Sequence, residues 1–193
     1  MLQLVLASAS PRRRELLERL GIPFKVSVSK AEENIDRGNL TPEQLARELA
    51  LLKAKDVART LEDGLVIGAD TIVVLDDEIL GKPKSREEAG RMLHLLSGRS
   101  HQVITGLALV EAGGGRVQLT SEVTTVWFRR LDPGEVEWYL DTGEPMDKAG
   151  AYGIQGKGSI LVDRIEGCYF NVVGLPLTRL YLMLKERGYR LSR

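Results

Sequence analysis

The sequence predicts an α/β fold with a mixed β-sheet. The first observation is the early alternation of strand-like and helix-like segments, which is typical of strands joined by helices. The second is a later pair of long apolar segments joined at Gly113, Gly114 and Gly115, which predicts an antiparallel hairpin. The third is composition, because 193 residues with 43% hydrophobic and 28% charged residues can form a proper core. We expect one domain over residues 1–193, with enough elements for two lobes around a cleft.

The first forty residues predict a strand, a helix and a second strand. QLVLA is a short apolar run, and Ser10 followed by Pro11 is typical of the N-cap and first position of a helix. Gly21 ends this helix, and FKVSVS then alternates as a strand does. A polar loop, KAEENIDRGNL, leads to the next helix.

The middle of the chain adds a helix, a buried strand, a short return strand and a second helix. Thr41 and Gln44 form a capping-box pair for a helix that continues to about Thr60. LVIGADTIVVLD has the apolar character of a buried strand, which we expect to be broken by Gly68, Ala69 and Asp70. DDEILGKP predicts a turn into a return strand. SREE has the capping-box pattern again, for a helix that ends near Ser97.

The last third predicts the hairpin, a helix, a glycine-rich loop, a strand and a terminal helix. HQVITGLALVEA and RVQLTSEVTTVWF are the hairpin strands, and Asp132 with Glu135 starts a helix through Leu140. We expect EPMDKAGAYGIQGKGS to be a loop, ILVDRIEGCYFNVV a strand and PLTRLYLMLKERG an amphipathic helix.

Charge and hydropathy exclude two classes of partner. Lys plus Arg and Asp plus Glu number 27 each, so the formal net charge is +0 and we expect no nucleic-acid partner. Any anion site must be local. The apolar runs are too short and interrupted to span a bilayer, and MLQLVLASAS has no basic leader, so we expect no membrane partner and a cytoplasmic location.

Cysteine and histidine offer little ligand chemistry. The single cysteine, Cys168, excludes an internal disulfide or a multi-cysteine metal site, and we expect it to be a small buried hydrophobe. His94 and His101 flank the helix end LHLLSGRSH, where we expect surface or capping residues.

The first predicted helix begins with an unfavourable charge. The arginines at positions 12–14 fall in its first turn, where each exposed cation costs about 0.3 to 1 kcal/mol because a helix N-terminus favours acids. The small residues Ser8 and Ser10 would let a phosphate chain approach the backbone amides, and its charge would reverse the cost. Alternatively, the arginines are solvated or paired with Glu15 and Glu18.

Further candidates follow along the chain. Asp70, in an apolar segment beside a glycine, could hold a divalent cation or accept a proton from water, although a turn-forming aspartate is an equal alternative. The acids at positions 32–33 could complete a metal site. Lys53 and Lys82 could each neutralise a phosphate, and the amide of Gln155 could hydrogen-bond to the edge of a base.

Five segments together resemble a known family. ASASPRRRELL, IGADTIVVLDDEILGKP, MLHLLSGRSHQVITG, EPMDKAGAYGIQGKGS and VVGLPL, in this order over residues 4–184, closely resemble the Maf family of nucleoside triphosphate pyrophosphatases. The resemblance implies an elongated mixed sheet flanked by helices, with two lobes around a central cleft, as in inosine triphosphate pyrophosphatases. It also implies that a divalent cation (Mg, Mn or Co) helps water cleave the bond between the α and β phosphates. A homodimer and a link to septum formation are implied as well.

The resemblance also assigns roles to single positions. It implies that Asp70 is the proton acceptor and binds metal with Glu33, and that Lys82 is a catalytic lysine. The substrate-binding residues that it implies are Ser8, Ser10, Arg12, Arg13, Lys53, Thr71 and Gln155. Because AGAYGIQG resembles the branch that acts on dTTP and UTP, these are the expected substrates. The alternatives are modified pyrimidine triphosphates, or regulation of septum formation through a protein partner.

Overall fold

The computed structural model describes residues 2–33, 35 and 38–191. Strands and helices alternate through the first half, a long hairpin follows, and helices end the chain. In chain order the elements are β1 (Leu4–Leu6), α1 (Pro11–Glu18), β2 (Phe24–Val26), α2 (Pro42–Ala58), β3 (Leu65–Leu75), β4 (Glu78–Leu80), α3 (Arg86–Leu96), β5 (Ser100–Glu111), β6 (Val117–Phe128), α4 (Pro133–Asp141), β7 (Val162–Glu166), α5 (Tyr169–Val173) and α6 (Leu177–Glu186). Three 3₁₀ turns, Glu144–Asp147, Ala149–Ala151 and Gly156–Leu161, lie between α4 and β7.

The sheet is mixed, which confirms the predicted α/β class. Its strand order is β2-β1-β3-β5-β6-β7, and β4 pairs with β3 off this path. Strand β1 is parallel to both β2 and β3, and Leu4 is the register partner of Phe24 and Leu65. Strands β3 and β4 are antiparallel, as are β6 and β7. The early alternation therefore produced the parallel part of the sheet, and the hairpin strands belong to its antiparallel part.

The predicted helix caps are present. The side chain of Ser10 accepts a hydrogen bond from the backbone of Arg13 at the start of α1. Complete capping boxes begin α2 at Thr41 and α4 at Asp132. Each cap satisfies a backbone N–H that the helix itself leaves without a partner, so these boundaries follow from local sequence.

At α3 the predicted capping box is only half formed. The side chain of Ser85 accepts from the backbone N–H of Glu88 at 3.2 Å, as predicted. The carboxylate of Glu88 instead accepts from the backbone N–H of Lys84 at 2.7 Å. The predicted N-cap, Ser85, is therefore confirmed, but the Glu88 carboxylate bonds to the N–H of the residue before the N-cap.

The predicted break of β3 at Gly68 is wrong. Gly68 lies inside a continuous strand that includes Asp70. A Cβ atom at Gly68 would lie 2.1 Å from the carbonyl oxygen of Ala50 and 2.8 Å from the Cβ of Ala54, both on α2. The glycine is there because α2 approaches the strand backbone too closely for any side chain.

The last predicted strand is shorter than expected. It ends at Glu166, and Tyr169–Val173 forms α5 instead. Gly167 has a φ of 126°, a conformation that favours glycine and ends the extended segment. Cys168, between the two elements, is half-buried rather than buried. The segment predicted as a glycine-rich loop contains the first two 3₁₀ turns and the start of the third, which continues to Leu161.

The expectation of a surface or capping role is wrong for His101. Because β5 starts at Ser100, His101 is an inward-facing strand residue that is 3% exposed. Its ring packs edge-on against Phe128 and Tyr152, and its Nε2 lies 2.7 Å from the Tyr152 hydroxyl. Burial lowers the pKa of His101 to about 4. His94 is exposed, as predicted.

The chain divides into two compact units. The first comprises Met1–Asp70, Thr105–Glu122 and Gly174–Arg193, and the second comprises Thr71–Ile104 and Val123–Val173. Small residues dominate one cluster in the core of the first unit, including Ala50, Ala54 and Ala108. The core of the second contains large residues such as Phe128 and Tyr139. No helix among the described residues is long and apolar enough to cross a bilayer.

Candidate active site

The loop between β1 and α1 places two serines beside the helix N-terminus. Ser8 is 8% exposed, and its Oγ accepts a hydrogen bond from the backbone N–H of Ser10 at 3.2 Å. Ser10 then caps α1, as described above. The loop is therefore fixed by its own small side chains, and it follows directly on a strand whose residues are all buried.

Arg13 is held at two points. Its Nε donates to the carbonyl oxygen of Gly174 at 2.9 Å, and its Nη1 donates to the Oγ of Ser8 at 3.5 Å. Burial lowers the pKa of the Arg13 guanidinium, while the charges of Asp70 and Glu33 act in the opposite direction. Gly174 is 161 positions away in sequence, and VVGLPL was notable only through the family resemblance.

The other two arginines differ from Arg13. Arg14 is exposed, and its Nε pairs with the Oε1 of Glu18 at 3.0 Å, one helical turn further on. The alternative of pairing within the helix is therefore correct for Arg14. Arg12 is half-buried, and the first turn of α1, which the structure describes throughout, contains no acid.

Lys53 joins two carboxylates that come from different parts of the chain. It lies on α2, and its Nζ is 2.5 Å from Oδ1 of Asp70 and 2.9 Å from Oε1 of Glu33. The side chains of Lys53 and Asp70 are 16% and 11% exposed, whereas that of Glu33 is 56% exposed. Two ion pairs therefore share one ammonium that little solvent surrounds, which strengthens the attraction in each pair.

Asp56 supports the segment that leads to Glu33. It lies one turn after Lys53 on α2, and its Oδ2 accepts from the Oγ of Ser29 at 2.9 Å and from the backbone N–H of Lys30 at 2.8 Å. The backbone hydrogen bond from Lys30 contributes most to lowering the pKa of Asp56. No motif marked Asp56, and an aspartate one turn from a candidate lysine was the only available signal.

The remaining predicted residues belong to the second unit. Thr71 follows Asp70 directly in β3 and is half-buried. Lys82 is exposed just after β4, and Gln155 is half-buried at the start of the third 3₁₀ turn. The side chain of Gln155 makes no hydrogen bond to any residue that the structure describes.

In the described ranges, the side chains that could bind a metal ion do not gather in groups of three or more. No group of three or more His, Cys, Asp or Glu side chains is arranged to hold a metal ion within 2–33, 35 and 38–191. Asp70 and Glu33 nonetheless face one cationic atom, the Nζ of Lys53. The carboxylates can therefore share a cation, as a pair of oxygen donors does in sites where substrate phosphates and waters supply the other ligands.

The family match and the relatives at about 50% identity agree with the motifs. A family model described as Maf-like protein matches residues 3–187. A dTTP/UTP pyrophosphatase of Desulforamulus reducens is 53% identical over 188 residues, covering 97% of this chain and 98% of that protein. One from Moorella thermoacetica is 55% identical over 188 residues, with 97% and 96% covered. A solved structure, the Ham1 protein of Staphylococcus aureus, has a TM-score of 0.47 at 17% identity, over 83% of this chain and 79% of that chain. The family match, over almost the whole length, shows that the chain belongs to the Maf family.

Proposed function

We propose that this protein hydrolyses dTTP and UTP between the α and β phosphates, producing the nucleoside monophosphate and pyrophosphate. The observation that carries the proposal is the pair of carboxylates, Asp70 and Glu33, gathered on Lys53. Relatives at 53% and 55% identity that are named dTTP/UTP pyrophosphatases support the substrate assignment. Phosphoanhydride hydrolysis needs a proton acceptor, a means to neutralise phosphate charge and a fixed geometry.

The phosphate chain is proposed to bind at the start of α1. Backbone amides at a helix N-terminus and the guanidinium of Arg13 attract the same anion. Arg13 uses Nε and Nη1 within the protein, which fixes the plane of the guanidinium before substrate arrives. Arg12, Ser8 and Ser10 are proposed to bind the same phosphates, because they lie in that loop and first turn.

Asp70 is proposed to accept the proton of the attacking water. The water oxygen forms a bond to the α phosphorus, its proton moves to the carboxylate, and the bond to the bridging oxygen breaks as pyrophosphate leaves. Lys53 holds Oδ1 of Asp70 at 2.5 Å, which fixes the orientation of the carboxylate. Lys82 is proposed to neutralise phosphate charge, and Thr71 and Gln155 are proposed to contact the nucleoside.

Asp70 and Glu33 are also proposed to hold a divalent cation, Mg, Mn or Co. The fit is supported by their chemistry, because two carboxylates that share the Lys53 ammonium can share another cation together with phosphate oxygens. When bound, such a cation offsets the negative charge that develops on the phosphates. Arg13 and Lys53 supply positive charge from the protein itself.

The test is pyrophosphate release from a panel of nucleoside triphosphates. The panel contains dTTP, UTP, dCTP, dATP, dGTP, pseudouridine triphosphate and 5-methyluridine triphosphate, each with Mg or Mn. We expect hydrolysis of dTTP and UTP well above the purine nucleotides. Higher kcat/KM for the modified nucleotides would favour the modified pyrimidines as substrates instead.

Asp70→Asn tests the mechanism. Because loss of a general base typically costs 10²- to 10⁴-fold, we expect kcat to fall at least roughly a hundredfold while the circular dichroism spectrum stays unchanged. Asp63→Asn, an exposed aspartate ahead of the same strand, is the matched control and should retain activity. If the folded wild type released no pyrophosphate from any nucleotide, the enzyme assignment would be wrong, and binding to a septum-related partner would become the leading hypothesis.

We further propose that the protein is a cytoplasmic homodimer. The support is the family to which it belongs. Light scattering after size-exclusion chromatography should give twice the 21.4 kDa mass of the chain, and a monomer mass at micromolar concentration would contradict the dimer.

A further inference from the structure

The segment 153–158, which we call the Gln155 turn, is rich in glycine yet tightly fixed. Gly156 has a φ of 69°, whereas Gln155 is extended with φ −83° and ψ 157°. A Cβ atom at Gly158 would lie 2.3 Å from the carbonyl oxygen of Gly153, so the two ends of the turn touch each other. Glycines at such positions leave the unfolded segment many conformations. In the folded protein, contacts from neighbouring side chains must select one of them.

Glu144 holds the end of the turn that follows Gln155. Its Oε1 accepts from the backbone N–H of Lys157 at 3.1 Å, and its Oε2 accepts from that of Gly158 at 3.4 Å. Both carboxylate oxygens are therefore used on consecutive amides, and such charge-assisted bonds are stronger than neutral ones. The backbone of Glu144 is itself held, because Lys148 donates to its carbonyl oxygen at 2.7 Å.

Tyr139 holds the end of the turn that precedes Gln155. The ring is 0% exposed within the core of the second unit, and its hydroxyl accepts from the backbone N–H of Gly153 at 3.1 Å. A Cβ atom at Gly158 would lie 2.6 Å from this hydroxyl, so the turn packs directly on it. Burial raises the pKa of Tyr139 to about 12, so the hydroxyl keeps its proton at neutral pH.

Tyr139 and Glu144 therefore hold the backbone on both sides of Gln155, and we call these two side chains the clamp. The amides of Gly153, Lys157 and Gly158 are all fixed, but the Gln155 amide makes no hydrogen bond to a residue in the described ranges. The backbone on each side is rigid while the polar tip remains available. A side chain that recognises a ligand is expected to have this arrangement. Because the backbone that carries it is already ordered, binding costs less conformational entropy.

We propose that Tyr139 and Glu144 are positioning residues that fix the Gln155 turn so that the Gln155 amide meets the pyrimidine base in one orientation. The inference rests on the proposed function, in which Gln155 contacts the nucleoside. Neither Tyr139 nor Glu144 touches the substrate in this proposal. Each acts through the backbone of the turn, and together they determine base selectivity rather than the rate of phosphoryl chemistry.

The test separates selectivity from chemistry. Tyr139→Phe removes the hydroxyl and leaves the N–H of Gly153 without its acceptor. We expect KM for dTTP to rise roughly three- to tenfold, as loss of one hydrogen bond implies, with kcat within about twofold of wild type. The ratio of kcat/KM for dTTP to that for dATP should fall by the same factor. Tyr189→Phe is the matched control, because this buried tyrosine also bonds a backbone group, the carbonyl of Leu2 at 2.6 Å, in the first unit.

Glu144 supplies an independent variant should Tyr139→Phe fold poorly. Glu144→Gln keeps the size and one acceptor oxygen, so it should lose less selectivity than Glu144→Ala. A graded series of this kind indicates positioning through the two backbone amides. Thermal unfolding of each variant shows whether the fold is retained.

Gln155→Ala distinguishes failure of the clamp from failure of the proposed function. In the Gln155→Ala background, Tyr139→Phe should cause no further loss of selectivity, because the two changes remove one effect. If Gln155→Ala loses selectivity while Tyr139→Phe and Glu144→Ala keep it, the clamp is merely structural and the proposed function stands. If Gln155→Ala itself keeps the wild-type selectivity, Gln155 does not recognise the base, and the inference is overturned with that part of the proposed function.

Discussion

Arg13 shows how a single side chain can be prepared for an anion. Its guanidinium is half-buried, is bonded to Gly174 and Ser8, and lies in the field of Asp70 and Glu33. A solvated cation at a helix N-terminus would oppose the helix dipole without compensation. In Arg13 that cost is offset by two hydrogen bonds and two nearby carboxylates, and a bound phosphate chain would reverse it.

We therefore expect Arg13→Lys to be strongly impaired although it preserves the charge. A lysine has no planar fork, so it cannot bond the Gly174 carbonyl and a phosphate at fixed angles. Loss of hydrogen bonds to a charged group predicts a roughly 10- to 100-fold lower kcat/KM for dTTP, measured by pyrophosphate release. Arg14→Lys, in the same turn but exposed, is the control and should stay near wild type. If Arg13→Lys kept the wild-type kcat/KM, charge alone would be sufficient at position 13, and equal losses in both variants would show that Arg13 has no role that Arg14 lacks.

Some residue contacts could be predicted and others could not. Asp70 was a candidate because a carboxylate in an apolar segment is unusual, and Lys53 was one because its ammonium could neutralise a phosphate and the family resemblance marked it. Their meeting at 2.5 Å, and that of Arg13 with Gly174, depends on tertiary packing between distant segments. His101 was predicted wrongly because it lies at the start of its strand, beside a helix end, and the packing of Phe128 and Tyr152 that buries its ring depends on distant segments.

At the scale of elements, local signals predicted helix starts better than strand lengths. The caps at Ser10, Thr41 and Asp132 are formed by residues within one turn of each other, so sequence alone predicts them. The predicted break of β3 at Gly68 was wrong because a glycine in an apolar strand indicates either a break or a close approach by another element. The approach of α2, which carries Lys53, could be known only from the fold.

Gly68→Ala tests that close approach. The added methyl group would meet backbone and Cβ atoms of α2 that cannot rotate away, so we expect a loss of about 1 to 3 kcal/mol in the free energy of unfolding. The control is Gly90→Ala on α3, where a Cβ atom would be 3.4 Å from the side chain of Leu140. Higher helix propensity should leave that variant unchanged or up to about 1 kcal/mol more stable. Urea unfolding of both proteins gives the comparison, and an unaffected Gly68→Ala would mean that α2 shifts freely.

At the scale of the whole molecule, charge balance and motif order carried the most information. Equal numbers of acidic and basic residues, 27 each, indicated that any anion-binding site must be local. Motifs spread from the first strand to the last helix indicated one family for nearly the whole chain, and the match over residues 3–187 confirms it. The division into two units could not be predicted in detail, because each unit is assembled from separate stretches of sequence.

Stability against pH is a property of the whole molecule that one buried side chain should control. The pKa of His101 falls from 6.5 to about 4 on folding because burial disfavours the charged ring. Below pH 6.5 the unfolded chain binds a proton that the folded chain does not. The contribution to stability is therefore complete above that pH and is lost as the pH falls towards 4.

We expect this effect to amount to about 2 to 3 kcal/mol at pH 4.5. His101→Gln cannot titrate there, so the stability difference between wild type and variant should shrink by that amount between pH 7.5 and pH 4.5 in urea unfolding. His94→Gln removes the exposed histidine and leaves the aromatic cluster of His101, Phe128 and Tyr152 intact. For this control, the difference in the free energy of unfolding from wild type should not shrink by about 2 to 3 kcal/mol between pH 7.5 and pH 4.5. A difference between wild type and His101→Gln that is the same at both pH values would show that the buried ring does not govern acid stability.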